Sequence, residues 1–124
     1  MTPGTEAAAS TDGRAARVVL VTGSSRGIGA ALVRRFAADG YRVAVHYSSS
    51  SAAAEAVVDA LRAAGADAEA FGADVSDPEA CKDLIASVID RFGGLDVLVN
   101  NEGITRDTLA LRMNPATTGS DIFN

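Results

Sequence analysis

Val18-Val-Leu-Val-Thr-Gly-Ser-Ser-Arg-Gly-Ile-Gly29 is the stretch that decides the fold. Val18 to Val21 form an uninterrupted apolar run, the pattern of a parallel strand covered on both faces. Gly23, Gly27 and Gly29 follow at Gly-x3-Gly-x-Gly spacing, and an apolar pattern with helical period begins at Ile28. The order is therefore strand, glycine turn, helix. On these residues alone two readings stand. The turn is either an ordinary strand-to-helix connection or a loop whose backbone N–H groups cradle a phosphate at a helix N-terminus.

The rest of the composition narrows the class. A length of 124 residues suits one domain and is short for two. With 48% apolar and 22% charged residues the chain reads as globular. Its net charge is −5 and its 11 basic residues are scattered, which argues against a nucleic-acid surface. No apolar run approaches the ~20 residues that span a bilayer, so no membrane partner is expected. Cys81 is the single cysteine, which excludes an internal disulfide and fits a cytoplasmic location. It reads as a small apolar helix residue, because only Lys82 beside it would favour a thiolate. No metal-ligand cluster stands out.

Strands and helices alternate along the chain. Residues 1–16 are small and polar with Pro3, Gly4 and Gly13, and are expected to form a disordered tail. They lack the ~7–15-residue apolar stretch of a secretory signal. Ile28, Ala31, Leu32, Phe36 and Ala37 mark one helix face, which Gly40 ends. Arg42 to Tyr47 is a second buried strand. The serines from Ser48 to Ser51 lead into a second helix, with Val57, Ala60, Leu61 and Ala64 on one face and Gly65 as its stop. Ala66 to Gly72 is a weaker strand. Asp77 before Pro78 starts a third helix, and Ser76 with Glu79 also fits a capping box. That helix presents Leu84, Ile85, Val88, Ile89 and Phe92 and stops at Gly93-Gly94. Leu95 to Val99 is the fourth strand. The alternation implies right-handed βαβ units. The expected fold is α/β: a Rossmann-type doubly wound parallel sheet, truncated, β-α-β-α-β-α-β, with strand order 3-2-1-4.

Four segments together carry a family resemblance: Thr22-Gly-Ser-Ser-Arg-Gly-Ile-Gly29, Ala73-Asp-Val-Ser-Asp77, Phe92-Gly-Gly-Leu-Asp96 and Val99-Asn-Asn-Glu-Gly-Ile-Thr-Arg-Asp107. In this order and spacing the chain resembles the short-chain dehydrogenase/reductase family, and Leu111-Arg-Met113 adds similarity to its 3-oxoacyl-(acyl-carrier-protein) reductases. The resemblance covers about residues 17 to 113, an NADP-binding Rossmann half-domain, and leaves 114–124 as a divergent, poorly ordered end. It implies an oxidoreductase of fatty acid biosynthesis that uses NADPH to reduce a 3-oxoacyl thioester, with this chain supplying the cofactor half. The substrate would be a small molecule or an acyl-carrier-linked one. Two alternatives stay open: an inactive nucleotide-binding or interaction fragment, and the cofactor half of a reductase for another ketone or alcohol.

By position, the resemblance implies that Gly23, Gly27 and Gly29 shape the pyrophosphate loop and that Ser25, Arg26 and Ile28 line the cofactor. Asp74 would accept from the adenine amine, with Val75 beside it, and Asn101 and Gly103 would lie along the ribose side. An NAD site usually carries an acid at the end of the second strand, on the ribose 2′-hydroxyl. Here that place offers His46, Tyr47 and Ser48, while Arg26 brings a guanidinium suited to a 2′-phosphate. NADP is therefore the expected cofactor. His46 reads as a strand-end residue near the adenosine rather than an acid–base group.

Two departures from the family pattern matter. Glu102 stands where Asn-Asn-Ala-Gly has alanine, so its carboxylate is expected to oppose the cofactor, and Glu102→Ala to improve NADPH affinity. The family's proton donor, a tyrosine with a lysine four residues on, is missing. Tyr41 and Tyr47 are followed at that distance by Val45 and Ser51, and Pro78 precedes Lys82. Asn124 lies near the position of a family asparagine, but Pro115 and Gly119 break the helix that would carry it. No catalytic residue is assigned. With further strands and helices missing, Val97, Leu98 and Val99 are expected to form an apolar edge strand, and the chain to self-associate through that edge and an uncovered sheet face.

Overall fold

The computed structural model describes residues 16–102 and the backbone of 121–123. Of the sequence-based expectations, the tail up to residue 15, Gly103, the remainder of the motif through Met113, residues 114–120 and Asn124 lie outside the described residues.

The elements follow the alternation seen in the sequence: β1 (Val18–Val21), α1 (Gly27–Ala38), β2 (Arg42–Tyr47), α2 (Ser51–Ala63), β3 (Ala68–Gly72), α3 (Pro78–Phe92), β4 (Val97–Val99) and β5 (Asp121–Phe123). They form one sheet in the order β3-β2-β1-β4-β5, with every pairing parallel. The expected 3-2-1-4 arrangement is present, and the expected free edge at β4 is not. β5 lies beside β4, with Val97 opposite Asp121 and Val99 opposite Phe123. The physical reason is that a strand's outward N–H and C=O groups need partners, and a short parallel strand supplies them. Asp121 to Phe123, expected to fall in a divergent end, are that strand.

Period-two alternation sorts the sheet into two cores. Val19, Val21, Val43 and Val45 face α1 and α2, where Val33, Val57, Val58 and Leu61 meet them. Val18, Leu20, Ala44 and Leu98 face α3, where Leu84, Ile85, Val88 and Phe92 meet them. Two helices thus cover one face and one helix the other. Cys81 is fully buried in the second core, the small apolar helix residue expected of it.

Local chemistry sets the element ends. Ser50 caps α2 by accepting from Ala53 N, and Asp77 caps α3 by accepting from Glu79 N at 3.1 Å, with Pro78 in the first turn. The alternative box from Ser76 does not form, because the Ser76 hydroxyl is turned back onto Asp74. Gly93 ends α3 with φ +83°, in the left-handed region. β3 starts later than Ala66 because the Ala66 N–H closes the end of α2 on Leu61 O at 3.0 Å. β4 starts after Asp96, whose Oδ2 accepts from Val18 N at 2.8 Å and anchors the head of β1. No helix among the described residues is long and apolar enough to cross a membrane.

Leu20 is fully buried in the central strand, and Ile28 is 74% exposed on α1. Leu20→Ala is expected to cost about 2–5 kcal/mol in urea unfolding, whereas Ile28→Ala stays within about 0.5 kcal/mol.

Candidate functional site

The C-terminal ends of β1, β2, β3 and β4 converge on the loop that follows β1. Open α/β sheets place ligands at this side, where the strand order reverses. The loop is stitched to both neighbouring strands. Toward β4, Thr22 N donates to Val99 O at 3.1 Å, and the buried Thr22 hydroxyl oxygen accepts from Asn101 N at 2.9 Å and Glu102 N at 3.0 Å. Asn101 Nδ2 adds a bond to Gly23 O at 3.3 Å. Toward β2, Ser24 N donates to His46 O at 3.0 Å, and the Ser24 hydroxyl accepts from His46 N while donating to Val21 O.

His46 is fully buried, and its ring joins two loops. Nδ1 accepts from Gly23 N at 2.9 Å, which leaves the ring proton on Nε2, where it is donated to Ala73 O at 2.8 Å. Both partners fix this neutral tautomer. The ring therefore braces the glycine loop against the loop after β3. Sequence reasoning did not reach the contacts themselves. The available signal was the lone histidine one residue before the end of a buried strand, on the same face as Ala44.

Gly23 and Gly27 adopt φ +64° and +61°, in the left-handed region that glycine enters without strain. Gly29 serves differently: a Cβ there would lie 2.3 Å from Gly23 O, so only a hydrogen lets α1 approach the loop. Ser25 is half-buried, and Arg26, Gly27 and Ile28 are exposed. Arg26 holds the N-cap position of α1 with extended backbone and no capping side-chain bond, whereas Ser50 and Asp77 cap α2 and α3. The start of α1 is thus left with helix N–H groups and the positive end of its dipole, a setting that favours an anion.

Asp74 and Val75 lie on the loop after β3. The Asp74 Oδ1 accepts from Ser76 N at 3.0 Å and from the Ser76 hydroxyl at 2.6 Å. Those bonds, the hydroxyl first, hold the carboxyl below the ordinary aspartate range. Val75 packs partly onto the α3-side core. Ser48, just past β2, donates its hydroxyl to Glu102 Oε1 at 2.8 Å. Ser48, Asp74, Val75, Ser76 and Glu102 line a cavity of about 240 Å³. The residues singled out in the sequence thus fall on the loops after these four strands and, for Gly27, Ile28 and Gly29, in the first turn of α1, and Gly103 lies outside the described residues.

The arrangement has counterparts among known proteins. A family model described as short chain dehydrogenase matches residues 17–123. Over 94 residues the chain is 52% identical to the 3-oxoacyl-(acyl-carrier-protein) reductase FabG of Staphylococcus aureus strain Mu50, covering 76% of this chain and 38% of that protein. Among solved structures, a short chain dehydrogenase from Burkholderia cenocepacia J2315 in complex with NADP is 45% identical, with a TM-score of 0.68 over 77% of this chain and 43% of that one. A blue fluorescent protein from a metagenomic library, in complex with NADPH, is 42% identical with a TM-score of 0.68, over 78% of this chain and 44% of that one. The chain spans well under half the length of each.

His46→Ala is expected to cost about 2–4 kcal/mol in denaturant unfolding, since it strands the Gly23 N–H and the Ala73 carbonyl and opens a cavity. Ser76→Ala should raise the Asp74 titration midpoint, read by carboxyl NMR. A carboxyl depressed in the folded chain adds stability above the ordinary aspartate range. That contribution is lost as pH falls through the folded value, and exposure keeps it small.

Proposed function

The chain belongs to the short-chain dehydrogenase family, and we propose that it binds NADP(H) as the cofactor-holding part of a reductase of 3-oxoacyl thioesters. The observation that carries the cofactor reading is the start of α1, an N-terminus with no side-chain cap beside an exposed guanidinium, Arg26, in a glycine loop that tolerates close approach. Backbone N–H groups there suit a pyrophosphate, and Arg26 suits a 2′-phosphate through charge-assisted bonds. The Asp74 carboxylate, kept ionised by Ser76, is an acceptor for an adenine amine. The substrate class rests on the 52% identity to a 3-oxoacyl-(acyl-carrier-protein) reductase.

When bound, NADPH supplies a hydride for a carbonyl carbon. This chain's residues grip and orient the dinucleotide: Gly23 and Gly27 open the loop, Thr22 fixes the turn after β4, and His46 holds the loops after β1 and β3 at one spacing. The 124 residues contain no tyrosine followed four positions later by lysine. Cofactor binding, rather than turnover, is therefore the activity proposed for these residues.

Arg26→Ala is expected to weaken NADPH binding about tenfold, the loss of roughly 1.4 kcal/mol, while changing NADH binding less than twofold. Fluorescence titration of both dinucleotides measures it. Equal losses for the two would remove the 2′-phosphate role, and no saturable binding by the unmodified chain would remove the cofactor reading.

A further inference from the structure

The end of β2 has no acid in sequence, yet a carboxylate reaches it through space. Ser48, the first residue past β2, donates its hydroxyl to Glu102 Oε1 at 2.8 Å, although the two are 54 positions apart. The other oxygen, Oε2, lies over the glycine loop, 3.1 Å from where a Cβ on Gly23 would stand. The backbone that presents this side chain is held, because Glu102 N donates to the Thr22 hydroxyl oxygen at 3.0 Å. The carboxylate is therefore built into the wall shared by the loops after β1, β2 and β4.

Its charge is not neutralised by the nearest ring. His46 Nδ1 lies 3.6 Å from Oε1, but that nitrogen accepts the Gly23 N–H and carries no proton to share. The Glu102 side chain is 37% exposed, and Asp74 lines the same cavity of about 240 Å³. The cavity wall thus carries two carboxylates, while Arg26 is the exposed N-cap residue of α1 on the glycine loop.

From this juxtaposition we infer that Glu102 is a specificity-determining residue: it acts as the β2-end acid supplied from β4, favouring a ribose with a free 2′-hydroxyl and opposing a 2′-phosphate. A carboxylate in this place accepts from a ribose hydroxyl and repels a phosphate dianion. Arg26 and Glu102 pull selectivity in opposite directions, so the chain discriminates between NADP(H) and NAD(H) less than the glycine loop alone would dictate. The inference rests on the dinucleotide-binding reading above.

The test is equilibrium titration of the full chain and its Glu102→Gln and Glu102→Ala variants with NADPH and NADH, with circular dichroism confirming each fold. Glutamine keeps the length and an acceptor for Ser48 while removing the charge. Glu102→Gln is expected to tighten NADPH at least tenfold and to leave NADH within threefold, so that the NADPH-over-NADH ratio rises about tenfold. Glu102→Ala should raise that ratio likewise, with NADH weakened by loss of its hydroxyl acceptor. The gain should shrink as salt screens the exposed carboxylate. Equal gains for both dinucleotides, or an unchanged ratio with both still binding, overturns the selectivity role while leaving the cofactor reading intact. Failure of the full chain and of both variants to bind either dinucleotide overturns the two together.

Discussion

The structure depends on how the chain leaves the end of β1. A central parallel strand buried on both faces must pass its backbone groups to a turn, and here each is tied down at once. Thr22 bonds to β4 and the turn beyond it, and Ser24 bonds to β2. Between them Gly23 takes a left-handed conformation and directs its N–H at His46. The loop is thus held from both neighbours before any ligand arrives. Buried hydrogen bonds of this kind contribute modestly when made and cost much more when one partner is missing. That asymmetry makes the loop rigid.

Rigidity matters because, among the described residues, the site has few other walls. Arg26, Gly27 and Ile28 are exposed just past the braced turn, and Gly29 lets α1 close on it with only a hydrogen between backbones. The exposed residues are therefore carried by a backbone whose position is fixed by buried ones. Thr22, Ser24 and His46 are the positioning layer, and the glycines set how near another group can come.

Much of this was legible in the sequence because it is local. Val18 to Val21, Arg42 to Tyr47, and the Asp77-Pro78 start of α3 appear where hydrophobic pattern and capping chemistry put them. β5 was not legible. A three-residue strand after Pro115 and Gly119 has no periodicity to reveal it, and its place is set by the unpaired side of β4. The same holds for the site. The glycine spacing and Arg26 are contiguous and could be read directly, whereas the His46 brace and the Ser48–Glu102 bond join residues 23 to 54 positions apart. Contacts of that separation are products of the fold, and sequence order does not encode them.

That distinction bears on how charge at the site is judged. Read along β2, the end of the strand carries a histidine, a tyrosine and serines, and the absence of an acid points one way. In space, the Ser48 hydroxyl is already bonded to a carboxylate that arrives from β4. Because β1 lies between β2 and β4 in the sheet, a side chain long enough to cross the turn after β1 can serve the end of a strand that is not its own. Alanine at 102 could not make that crossing, and glutamate does so over Gly23, where the lack of a Cβ leaves room for it. The missing Cβ that leaves the glycine loop open is therefore also what admits the Glu102 carboxylate.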